Sequence, residues 1–267
     1  MSEPILRWAG SKKKLLPLLA AATPSRFKRY VEPFVGSAVL FLRLDAEEAI
    51  LGDINTDLID TYTTLRDHPH EIWDRVSSMS QDQDYYYELR SQNPVTLPNL
   101  DRAARFVYLN RFCFNGVYRT NRAGKFNVAR GKGHLYIPDI EVFNGVARAL
   151  RRADLHCGDF DAVVNKAECG DFLYLDPPYA LGGKRDRGEY GMGSFRETDE
   201  GRLVDSIQRA SARGVRVLLS YSPSPQVIEN LPGWHVHELT VARNVAGFAG
   251  SRRRAEEILI SNYRWPN

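Results

Sequence analysis

Cysteine is scarce in this chain. Cys113, Cys157 and Cys169 are the three in 267 residues, far apart and without a CxxC. That spacing excludes a disulfide framework, and the absence of a histidine pair at ligand spacing excludes a Cys/His zinc site. No metal is expected, and a reducing cytoplasm suits such a chain. Long apolar runs are missing too. None approaches the ~20 residues that cross a bilayer, so no membrane partner is expected. Lys12-Lys13-Lys14 followed by LLPLLAAATPS imitates an export leader, being basic, then apolar, then small. Pro17 interrupts its apolar part, and the segment reads instead as an amphipathic helix with a basic first turn. There is neither an internal repeat nor a low-complexity tract.

Acidic residues are absent from one long stretch. Between Arg102 and Pro138 there is no Asp or Glu, whereas Arg102, Arg105, Arg111, Arg119, Arg122, Lys125, Arg130 and Lys132 supply eight positive charges. The whole chain carries only +3, which leaves −5 for the remainder. Such polarity implies a phosphate-binding face on a mildly acidic body. Tyr108, Phe112, Phe114, Tyr118 and Phe126 are interleaved with the cations, a mixture that suits bases and phosphates. A solvated basic loop is the plainer alternative.

Periodicity and punctuation give an α/β chain. Strands are expected near 29–32, 49–51, 154–157, 171–175, 215–219, 234–240 and 257–262. Helices are expected at 39–44, 56–66, 140–151 and 199–213, with further helices through 68–111. Gly116–Val128 reads as two short extended arms around Asn121-Arg122-Ala123-Gly124, where Gly124 supplies a positive φ. Alternating strands and helices imply a largely parallel, doubly wound sheet. Residues 1–61 and 151–267 would build that domain, with 62–150 inserted as a mostly helical second unit.

Two motifs fall at strand ends, where open α/β sheets bind ligands. EPFVGSAV (32–39) makes a strand-to-helix turn; its small residues let a ligand approach the backbone near Pro33, Phe34 and Gly36. Asp53 ends the next strand, a position that commonly takes ribose hydroxyls. Its alternative role is to cap the helix from Thr56, a task Asn55 can also perform. The second motif is Asp176-Pro177-Pro178-Tyr179, after the strand DFLYL. Two prolines cannot continue a central strand, so the chain leaves the sheet in a stiff, fixed shape. A carboxylate and a proline carbonyl there can accept both hydrogens of a conjugated amine and turn its lone pair outward. Tyr179 can stack on the ring that carries the amine.

ILRWAGSK (5–12), VEPFVGSAV (31–39), GDIN (52–55), NRFCFNGVYRTNRAGKFNV (110–128), LDPPY (175–179) and RRRAEEILISNY (252–263) together resemble the Dam family of DNA adenine-N6 methyltransferases. The blocks span nearly the whole chain, in the order of that family's alpha group. The resemblance implies a Rossmann-like methyltransferase sheet that binds S-adenosyl-L-methionine, interrupted by a target-recognition domain bearing a β-hairpin. It implies that Trp8, Lys12, Pro33, Phe34, Gly36, Asp53 and Asp176 hold the cofactor, and that Asp176, Pro177 and Tyr179 are catalytic. It further implies double-stranded DNA as partner, with an adenine flipped out of the duplex. Phe114 would wedge into the helix, Asn115 would help fill the gap, and Arg119 would read a guanine edge. Arg7, Val117, Asn121, Arg122, Lys125 and Arg130 complete the expected DNA face. Three positions depart from the family pattern: Arg7 stands where lysine is frequent, Val117 where a larger aliphatic is common, and Ala129 where proline is. GATC remains the leading target.

Rival readings stay open at the level of sequence. A [DNS]PP[YFW] corner also serves methylation of cytosine N4, RNA adenine or protein glutamine. A relative that binds DNA without catalysis would need no amine-hydrogen acceptor. Export would leave a mature N-terminus near residue 23.

Overall fold

The computed structural model describes residues 3–121, 123–132, 135–178, 195, 198–244 and 252–265. A short 3-10 turn leads into α1 (Leu16–Ala22), where Pro17 sits in the first turn and its missing N–H leaves no bond unmade. Leu19 and Ala22 are fully buried, so the leader-like segment is a core helix. Next come β1 (Tyr30–Glu32), α2 (Val39–Leu44), β2 (Ala49–Asp53) and α3 (Thr56–Asp67). Asn55, not Asp53, caps α3, accepting from the Leu58 N–H at 3.0 Å. A helical stretch follows: α4 (Pro69–Ser78), α5 (Gln83–Ser91), α6 (Asn99–Phe112) and α7 (Ile140–Leu150). The chain then forms β3 (Ala153–Cys157), α8 (Phe160–Val164), β4 (Phe172–Leu175), α9 (Asp199–Ala212), β5 (Arg216–Tyr221), α10 (Pro225–Glu229), β6 (His235–Asn244) and β7 (Arg252–Ser261). The five-residue helices α8 and α10 were not anticipated, because so short a helix shows no readable period.

Among the described residues, seven strands form one sheet in the order β3-β2-β1-β4-β5-β7-β6, in which β7 runs antiparallel to β5 and β6 and the other pairs are parallel. Side chains alternate between its two faces, as the two-residue period of a strand requires. Tyr30, Leu51, Phe172, Tyr174, Leu218 and Leu259 join the core on one face. Val31, Ile50, Leu173, Leu175, Val217, Leu219 and Ile260 join the core on the other, beneath α8 and α9. The first core continues without a break through α3 into α4, α6 and α7. Helix α3 itself runs unbroken across residues 61 and 62.

Among the described residues, the arms expected within Gly116–Val128 pair at isolated bridges rather than as strands. Thr120 faces Phe126, Cys113 faces Arg130, and the Asn121 N–H donates to the Lys125 carbonyl at 2.9 Å. Gly124 has the anticipated positive φ, at 73°.

From β1 the chain winds outward to β2 and β3, then returns to place β4 on the other side of β1. Connections leave in opposite directions at the β1/β4 boundary and open a crevice beyond the strand ends. Pro33 and Asp176 are the first residues past those two ends.

Candidate functional site

A cavity of about 340 Å³ occupies that crevice. It is lined by Trp8–Lys12 from the N-terminal segment, Glu32–Ser37 from the end of β1, Asp53 and Ile54 from the end of β2, Gly158–Phe160 after β3, Tyr174 and Asp176–Pro178 at the end of β4, and Phe195, Thr198, Asp199 and Arg202 leading into and at the start of α9. Thus six chain segments, distant in sequence, converge through one sheet topology.

The turn after β1 is held tightly. The Gly36 N–H donates to Asp53 Oδ2 at 3.1 Å, and the Tyr62 hydroxyl of α3 donates to the Gly36 carbonyl at 2.7 Å. Gly36 has φ +44°, and a Cβ built there would lie 2.7 Å from Trp8 Cδ1, so only glycine fits beneath that ring. Ala38 is also left-handed, at φ 56°, a strained conformation of the kind concentrated at ligand-binding turns. Trp8 also stacks on Tyr118, at 5.7 Å and 18°.

Because Asn55 caps α3, Asp53 is released to serve the turn. Its second oxygen accepts the Asn55 N–H at 3.0 Å. Burial pushes its pKa up to about 6, against the backbone N–H groups of Asn55, Gly36 and Ile54. Asp176 pairs with Lys12 Nζ at 2.7 Å, and the same ammonium lies 4.0 Å from Glu257 on β7. Lys12 and Glu257 are both buried. Glu32, also buried, is pushed well above the ordinary carboxylate range by desolvation, with Asp176 and Asp53 adding to the shift and the nearby Tyr30 hydroxyl opposing it. Its Oε2 makes no hydrogen bond among the described residues.

Every expected cofactor residue lines this cavity: Trp8, Lys12, Pro33, Phe34, Gly36, Asp53 and Asp176. Pro177 does as well, whereas Tyr179 and Arg122 lie outside the described residues. Arg7 adjoins the cavity through Trp8, and the other expected DNA residues stand on the separate 114–130 segment. There Phe114 is exposed, Asn115 is left-handed at φ 55°, and Val117 is half-buried. Arg119 Nε donates to Asn127 at 2.9 Å, Asn121 Oδ1 accepts the Ala123 and Lys125 N–H groups, and Lys125 is exposed.

Not all eight cations between Arg102 and Pro138 face solvent. Arg105 and Arg111 are buried and donate to carbonyls: Arg105 to Leu89 and Arg90, Arg111 to Tyr136 and Ile5. Arg102 pairs with Asp60 at 3.1 Å, and Arg130 Nη2 donates to the Gln81 carbonyl at 2.7 Å. Of the interleaved rings, Tyr108, Phe112 and Tyr118 belong to the core. The cause is α6, which is buried on all sides from Ala103 to Phe112, so its charges and rings face protein.

Sequence reading passed over Glu32, Asp159, Phe160 and Glu257. Glu32 stood inside a motif already singled out. Gly158-Asp159-Phe160 follows a strand just as the other two motifs do, a position that could have flagged it. Phe160 stacks on Phe34 at 5.4 Å, and Phe195 closes on both rings. Among the described residues no group of acidic, His and Cys side chains could hold a metal, and no helix is long and apolar enough to cross a membrane.

The family model described as D12 class N6 adenine-specific DNA methyltransferase matches residues 8–245. Type II methyltransferase M1.LlaDCHI of Lactococcus lactis subsp. cremoris is 32% identical, covering 97% of this chain and 95% of that one. The DNA N-6-adenine-methyltransferase of Escherichia phage P1 is 36% identical over 96% of this chain, which spans 35% of that longer protein. DNA adenine methylase of Salmonella typhi is 30% identical over 95% of this chain and 93% of its own length.

Proposed function

Since the chain belongs to the D12 class of N6 adenine-specific DNA methyltransferases, we propose that it methylates an adenine flipped out of duplex DNA at GATC or a related short palindrome. The observation that carries this reading is the convergence of Asp176-Pro177, Lys12 and the Gly36 turn on one cavity at the sheet's switch point. A family of this chemistry uses S-adenosyl-L-methionine, whose sulfonium supplies an electrophilic methyl group. The residues fit such a molecule. Glu32, whose buried Oε2 makes no hydrogen bond among the described residues, suits its α-ammonium group. Asp53, anchored against Gly36, would accept ribose hydroxyls. Trp8, Phe34 and Phe160 offer apolar walls, and Asp159 an acceptor for a purine amine.

On the substrate side, the adenine N6 lone pair is delocalised into the ring and attacks poorly. Asp176 and the Pro177 carbonyl would accept its two hydrogens, favour a pyramidal nitrogen and aim the pair into the cavity. The diproline corner holds both acceptors rigid, and the ion pair with Lys12 anchors the Asp176 carboxylate. Orientation of this kind is worth ~7–11 kcal/mol for well-placed partners. Residues 62–150 would present the DNA face, with Phe114, Asn115 and Arg119 at the duplex and Arg7 beside them. A cytoplasmic, nucleoid-associated setting follows from that substrate.

Methylation-sensitive digestion of DNA from cells expressing the protein reports activity and target together. Resistance to an enzyme blocked by N6-methyladenine within GATC is expected. Label from the donor appearing only in RNA or protein would end the DNA reading. With 2-aminopurine at the target position, fluorescence should rise on binding; a flat signal in every sequence context counts against flipping.

A further inference from the structure

We infer that Asn110 and Gly116 are positioning residues that aim Arg7, and thereby set discrimination at one base pair of the target. The inference rests on the reading above that Arg7 faces DNA. Asn110 is buried near the end of α6 and grips residue 7 with both ends of its amide. Its Oδ1 accepts the Arg7 N–H at 2.8 Å, and its Nδ2 donates to the Arg7 carbonyl at 2.7 Å. A side chain here does the work of a neighbouring strand, satisfying both backbone groups of a segment that belongs to no sheet.

The Arg7 side chain is constrained from the other side by Gly116. A Cβ built on Gly116 would fall 2.2 Å from Arg7 Cβ and 2.8 Å from its Cδ, so the arginine stem lies directly on the glycine backbone. Gly116 has φ +64° and follows the left-handed Asn115, so this contact belongs to the Phe114–Gly116 turn. The Cys113 thiol, bonded to the Asn110 carbonyl at 3.3 Å, ties that turn back to α6. Arg7 is therefore seated between α6 and the turn that carries Phe114. A long, flexible cation reads a base edge selectively only when its stem is immobilised, because otherwise it reaches phosphates as readily.

The test compares methylation rates on duplexes in which each base pair of the wild-type target is replaced in turn. Arg7→Ala identifies the pair that Arg7 reads, where the wild type should discriminate roughly 5- to 150-fold. Asn110→Ala is expected to reduce discrimination at that pair to within about threefold of unity, while other pairs change by less than about twofold. Gly116→Ala should reproduce the pattern, and adding Asn110→Ala to Arg7→Ala should cause no further loss there. Equal loss at all pairs, or none, overturns the inference. If Asn110→Ala does not fold, Asn110→Asp, which keeps the acceptor and removes the donor, is read by the same criteria. Amide exchange at residue 7 gives an arm independent of DNA: protection present in the wild type should be lost in the variant, and retained protection overturns the clamp. A wild type that methylates no DNA defeats the functional reading, and the exchange arm still judges the clamp.

Discussion

Asp176 and Asp53 show how single carboxylates take different work from different surroundings. Asp176 sits just past the end of a strand, where it lines the cavity and pairs with the Lys12 ammonium. Replacing it with alanine removes the proposed acceptor for the amine while changing no residue of the 114–130 segment. Turnover should fall by two to three orders of magnitude, roughly the cost of deleting one preorganised polar partner, with DNA affinity within about threefold of wild type. Single-turnover rates and DNA titrations measure the two separately, and parallel loss of both contradicts the assigned role. Asp53 titrates near pH 6 because burial disfavours its charge. In the proposed role, the carboxylate above that pH would accept ribose hydroxyls; below it the proton would occupy one acceptor. Cofactor affinity should therefore decline as pH falls through about 6, with a limiting slope of about tenfold per pH unit for one proton. Calorimetric titration between pH 5 and 8 checks this, and Asp53→Asn should flatten the profile.

At the level of elements, the strands that carry the site are pinned together at their far ends. Asp171, fully buried before β4, accepts from the Arg29 guanidinium at 2.7 Å just ahead of β1, and also takes the Arg29 and Glu168 N–H groups. This pair fixes β1 against β4 and so sets the relative height of Pro33 and Asp176. Asp171→Ala leaves a half-buried guanidinium and two backbone donors without their acceptor. A loss of about 3 kcal/mol is expected in urea unfolding. Arg29→Ala in the Asp171→Ala background should add far less than it costs alone, because the partner is already gone. Additive losses would show that the two residues act independently.

Across the whole molecule, binding to DNA should follow the surface charge that the fold exposes rather than the charge that the chain contains. Arg105 and Arg111 are spent on carbonyls inside the helical layer, and Arg102 on Asp60. Lys125→Ala is expected to reduce the slope of log affinity against log salt by about 1, whereas Arg105→Ala should leave the slope unchanged and lower the unfolding midpoint. A smaller slope in Arg105→Ala with undiminished stability would place that guanidinium on the phosphates after all. The continuous core through α3 also couples the two regions of the chain, so destabilisation in either is expected to register as one cooperative transition.

The sequence by itself determined the order of the seven strands and the longer helices and the two strand-end motifs, because each leaves a local signature: a two-residue alternation, a 3.6-residue period, a small-residue turn, a diproline stop. It could not determine which of Asp53 and Asn55 caps α3, which arginines reach solvent, or that Glu32, Phe160 and Glu257 join the same site. Those outcomes depend on which faces pack together and on what crosses from β1 to β4, and burial and proximity between residues a hundred positions apart exist only once the sheet has formed.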